Sequence, residues 1–163
     1  MKRFKTVHYT IHSNKIKDAR GIRFAVIADL HGMEFGPDNR KLLETIHRYR
    51  PDGILIAGDM IVRNDSASLK TASSLLRSLA QKYPVYYALV NHKYKLYRTD
   101  PQENCMAARY QEYEKELKTA GIHILHNESC SLQVGKTSLT VYGLEVPLIY
   151  YKKPFSPQLK REE

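Results

Sequence analysis

Three short apolar runs, each ending in polar residues, set the rhythm of the chain. Ile22–Ala28, Ile54–Ala57 and Val85–Val90 are rich in β-branched and aromatic residues and predict buried strands. They end in Asp29-Leu30-His31-Gly32, in Gly58-Asp59 and in Asn91-His92. Between the first two, Gly36-Pro37-Asp38 opens a helix with Leu42, Leu43, Ile46 and Tyr49 at helical spacing, and Arg50-Pro51-Asp52-Gly53 ends it. Between the second and third, a Ser-rich helix over Ser66–Lys82 carries Leu69, Leu75, Leu76 and Leu79 on one side and is broken by Pro84. Strand, helix, strand, helix, strand is the pattern of a largely parallel sheet with helices on its face. In such sheets functional groups gather at the carboxyl ends of the strands. Asp29, His31, Asp59, Asn91 and His92 are therefore expected to converge.

The flanking pattern is weaker. Residues 6–12 (TVHYTIH) alternate, with Val7, Tyr9 and Ile11 on one side, and predict a short edge strand. Residues 104–119 read as an exposed amphipathic helix closed by Ala120-Gly121. Ile122–Leu125, Cys130–Val134 and Ser138–Tyr142 predict short strands, the last two joined by a turn at Gly135-Lys136. The end of the chain, PFSPQLKREE, resembles a helix just beginning. The expectation is one α/β domain over residues 1–163, incomplete at its carboxyl end.

Composition narrows the class. The 163 residues are 42% hydrophobic with 12 Tyr and no Trp, an ordinary balance for one folded core. Cys105 and Cys130 lack CxxC spacing and read as free structural thiols. No apolar run approaches the ~20 residues needed to span a bilayer. The basic start, MKRFKTVHYTIHSNKIK, lacks the continuous apolar core of a signal peptide. A cytoplasmic chain, or one peripheral at a membrane, is expected. The net charge of +9 fits nucleic acid, an anionic membrane surface or a phosphorylated substrate. It is spread along the chain, as on a solvated surface. No basic helix or aromatic–basic strand accompanies it, which disfavours nucleic acid.

Carboxylates, imidazoles and one amide together suit divalent metals of intermediate hardness: Mn, Fe, Zn, Ni or Co. Singly, each residue has a plainer reading. Asp29 and Asp59 can be helix N-caps, Gly58 a turn glycine, His31 a hydrogen-bonded loop residue and Asn91 a left-handed turn residue. His8, His12, His47, His123 and His126 read as structural or surface residues. His123 and His126, three apart on a strand, would point to opposite faces.

In their order and context, Asp29-Leu30-His31, Gly58-Asp59-Met60-Ile61 and Asn91-His92-Lys93 resemble the calcineurin-like metallophosphoesterase superfamily, whose blocks run DxH, GDxx, GNHE, a later His and GHxH. The wording IADLHG…LIAGDM is most similar to its bacterial membrane-associated branch. The resemblance covers roughly residues 5–150. It implies the amino-terminal part of a four-layer α/β/β/α sandwich that hydrolyses a phosphomonoester, phosphodiester or pyrophosphate bond. It further implies two divalent metal ions bridged by Asp59, with Asp29 and His31 on the first and Asn91 on the second. Asn91 and His92 would bind the substrate, and His92 would contact the phosphate and stabilise the transition state or protonate the leaving oxygen. The substrate implied is a phosphorylated small molecule or lipid.

Three departures from that pattern stand out. Val90 and Lys93 replace the glycine and the acid of the third block, placing a β-branched residue at a tight turn and a cation beside the metals. Ala28 replaces a frequent Ser. No GHxH occurs, and no later histidine clearly replaces it. The second reading is therefore a truncated or degenerate, inactive relative that at most binds metal or a partner. Only the beginning of a second sheet is expected, so self-association through an uncovered sheet and peripheral membrane contact join the expected partners.

Overall fold

A computed structural model describes residues 3–16, 20–62, 65–88 and 101–145, with backbone alone for 101–107. The elements in order are β1 (Phe24–Ile27), a 3-10 turn (Pro37–Asn39), α1 (Arg40–Tyr49), β2 (Gly53–Ala57), α2 (Ser66–Ala80), β3 (Val85–Ala88), α3 (Pro101–Thr119), β4 (His123–Leu125), β5 (Ser129–Val134) and β6 (Thr137–Tyr142).

The strands β1, β2, β3 and β4 lie side by side in that order, every pair parallel. Right-handed crossovers that always step the same way place their helices on one face. That face of the sheet carries Ala25, Ile27, Ile54, Ile56, Val85, Tyr87 and Ile124. They form one core with Leu42 and Ile46 of α1, Leu69, Leu75, Leu76 and Leu79 of α2, and Tyr110, Tyr113 and Leu117 of α3. On the other face, Phe24, Leu55, Tyr86 and Leu125 pack against Leu132 and Val134 of the antiparallel β5–β6 hairpin. The described residues thus build helices, sheet and hairpin, and a fourth layer is not among them.

The strands begin together as well. Asp52, just before β2, accepts hydrogen bonds from the backbone N–H of Arg23 (2.8 Å) and the guanidinium of Arg20 (2.7 Å). Its own N–H donates to the Arg23 carbonyl at 2.7 Å. This aligns the entries to β1 and β2 in register, with Phe24 beside Gly53.

Two expectations need correction. Residues 6–12 form no strand: Tyr9 is 87% and Ile11 88% exposed. The segment is held by its rings instead, with Phe4 edge-on to Phe35 at 5.1 Å and His8 against Tyr49 at 5.0 Å. Alternation alone does not make a strand when the segment does not pair with the sheet. The helix read over 104–119 is not exposed along its length either. Tyr110, Tyr113 and Leu117, spaced by three and four, are buried between α2 and the sheet. The apolar body of tyrosine fills a core as phenylalanine does, so one face of the expected amphipathic helix is buried rather than exposed.

Candidate metal centre

The site is built where β1 and β2 end. After Ile27 the chain leaves the ladder, and Asp29 (φ 49°) and His31 (φ 48°) both take the left-handed conformation. Side-chain-bearing residues rarely adopt it, so two in one loop mark a backbone held against its own preference. Leu30 between them is 4% exposed and anchors the loop in the core. Asp29 and His31 are left at the surface on either side of it.

The loop after β2 holds this geometry. The N–H of His31 donates to the Asp59 carbonyl (3.0 Å), and that of Gly32 to the Met60 carbonyl (2.9 Å). In return the Asp59 N–H donates to Oδ1 of Asp29 at 3.1 Å. Met60 itself is fully buried. The two strand ends are thereby laced together, with the Asp29 carboxylate at the lacing.

Two glycines permit the approach. A Cβ on Gly58, where φ is +108°, would stand 2.4 Å from Oδ1 of Asp29. A Cβ on Gly32, where φ is +64°, would stand 2.5 Å from Cβ of Ser68. Ser68 is itself buried, and its hydroxyl donates to the Asp65 carbonyl (2.7 Å) and accepts from the Val62 N–H (3.0 Å). The start of α2 therefore presses directly on the first loop.

Neither carboxylate is a helix cap. The N-cap of α2 is Asp65, whose side chain accepts from the Ala67 N–H at 2.9 Å, and α1 begins well past Asp29 at Arg40. Behind Asp59 stand buried phenols. Burial pushes those of Tyr87 and Tyr110 well above the ordinary tyrosine value, and the charge of Asp59 adds to both shifts. Tyr113 is pushed up by burial and by Glu114. These hydroxyls stay protonated and neutral at working pH. Sequence reading missed this buried cluster, although the tyrosines at 87, 110 and 113 were its signal.

Of the expected residues, Asp29, His31 and Asp59 stand in the loops that follow β1 and β2, which hydrogen-bond to each other. Asn91 and His92, with Val90 and Lys93, lie outside the described residues. Among the described residues no three His, Cys, Asp or Glu side chains are grouped to hold a metal ion. The donor types fit a divalent metal, and the described part of the site does not close around one unaided. The later histidines serve elsewhere. His123 stacks on Tyr86, with ring centroids 5.0 Å apart. His126 is paired with Glu145 and lies 3.4 Å from Glu114. Among the described residues no helix is long and apolar enough to cross a membrane.

Residues 22–157 match a family model described as calcineurin-like phosphoesterase. No curated protein and no solved structure matches the chain.

Proposed function

Since the chain belongs to the calcineurin-like phosphoesterase family, whose membership implies metal-dependent phosphoester hydrolysis, we propose that its own site is the rim built by Asp29, His31 and Asp59 and completed by Asn91 and His92. The observation that carries this reading is the bond from the Asp59 N–H to Oδ1 of Asp29. It holds the Asp29 carboxylate with one oxygen committed to the backbone and the other available to a cation.

In this reading Asp29 and His31 would hold one divalent ion and Asn91 a second, with Asp59 shared. Ions bound there supply charge neutralisation for the phosphate and a lower pKa for the attacking water. The chain's own groups do the rest. Asp59 would offset positive charge in the site. His92 contacts a phosphate oxygen and holds the proton that the leaving oxygen needs. The phenols of Tyr87 and Tyr110 bring no charge of their own. The substrate is a phosphorylated small molecule or lipid, for which the net charge of +9 is an attractive field.

The test is hydrolysis of chromogenic phosphomonoester and phosphodiester substrates with added Mn²⁺, against an Asp59→Asn control. Turnover well above the control supports hydrolysis, and the faster of the two substrates identifies the bond. Turnover equal to the control supports the other reading, an inactive relative that at most binds metal or a partner.

A further inference from the structure

Away from the rim, on the hairpin face of the sheet, a thiol and an imidazole meet. Register places His123 of β4 beside Tyr86 of β3. Their rings stack nearly parallel, at 14° and 5.0 Å. The stack fixes the imidazole plane, because Tyr86 is buried and cannot follow a rotation. Nδ1 of His123 lies 3.6 Å from Sγ of Cys130 on β5, within hydrogen-bonding reach for sulfur. The sulfur also has the carbonyl of Ser131 at 3.7 Å as a second acceptor. Cys130 is free and half-buried and His123 is exposed, so a small reagent can reach the sulfur beside the base.

We infer that Cys130 and His123 form a peroxide-reactive thiol site, with His123 as general base. The Sγ attacks one oxygen of a hydroperoxide; the S–O bond forms as the O–O bond breaks. The thiol proton passes to Nδ1 and on to the departing oxygen. The products are a cysteine sulfenic acid and water or an alcohol, sulfur losing the two electrons that the peroxide gains. The neutral ring accepts at Nδ1 as the tautomer with its proton on Nε2. Cys130 packs against the cluster of Tyr86, Leu125, Leu132 and Val134. Oxidation therefore places a polar group at the seam that joins hairpin to sheet.

The experiment treats the full chain with hydrogen peroxide, traps sulfenic acid with a cyclic 1,3-dione and locates it by peptide mass spectrometry. Cys130 is expected to be trapped faster in the folded chain than in the urea-unfolded chain. His123→Phe, which keeps a ring on Tyr86 and removes the base, is expected to slow it on the order of a hundredfold. A folded rate no greater than the unfolded one overturns the inference, as does an unchanged rate in a folded His123→Phe chain. Should that variant not fold, the comparison of folded with unfolded natural chain decides alone.

Discussion

The backbone N–H of Asp59 donates to Oδ1 of Asp29 across 3.1 Å, joining the ends of two strands that lie 30 residues apart in sequence. The same loops exchange the His31–Asp59 and Gly32–Met60 backbone bonds. A carboxylate aimed by a main-chain donor does not need a second side chain to position it. The site's geometry is therefore set by the strand ends themselves, and substitutions that separate those ends test it.

Gly58→Ala places its Cβ 2.4 Å from Oδ1 of Asp29 and forces a side-chain-bearing residue to φ +108°. It should cost roughly 1–3 kcal/mol of stability in urea unfolding. Displacing Asp29 by about 1 Å should also lower any Mn²⁺-dependent turnover on the order of a hundredfold.

Gly32→Ala meets Cβ of Ser68 at 2.5 Å. Ser68→Gly removes that carbon and also removes a hydroxyl bonded to Val62 and Asp65. Each single change should destabilise by about 1–3 kcal/mol. The double change should cost less than the sum, by at least about 0.5 kcal/mol, since the two share one contact. Additive costs in a double-mutant cycle would show that α2 does not press on the first loop.

Tyr87, Tyr110 and Tyr113 are held above their ordinary value, chiefly by burial. For a phenol raised in the folded state, the stabilisation is complete below about pH 10, the unfolded value, and is lost as pH rises past it. Phenolate absorbance near 295 nm should accordingly show the exposed tyrosines titrating first. These three should ionise only together with the alkaline loss of near-ultraviolet circular dichroism. Reversible ionisation of every tyrosine in a chain that stays folded would contradict their burial.

Much of the architecture is legible in the amino-acid pattern for a simple reason. The runs GILIA and VYYA, in the middle of a parallel sheet, are covered on both faces, which demands continuous apolarity; FAVI, at the edge, keeps the same pattern although Val26 is 64% exposed, and Leu69, Leu75, Leu76 and Leu79 mark one helix face without ambiguity. That the loops bearing Asp29, His31 and Asp59 lie at one end of the sheet follows from strand direction alone. What the pattern hid depends on neighbours. TVHYTIH alternates like a strand, yet it is held by Phe4 on Phe35 and His8 on Tyr49. The buried face of α3 is written in tyrosines, whose hydroxyls disguise apolar bodies. The left-handed backbone at Asp29 and His31 was invisible because neither is glycine, and the bond between Asp59 and Asp29 because its donor is main chain. Gly58 read as an ordinary turn glycine, whereas its lack of a side chain is what lets Asp29 approach.

The central claim is that the laced ends of β1 and β2 hold a divalent cation, and the most direct measurement is calorimetric titration of the full chain with Mn²⁺. The natural chain should bind, while Asp29→Ala and Asp59→Ala, each still folded by circular dichroism, should bind at least about tenfold more weakly. Equal affinity in all three folded chains would contradict the account.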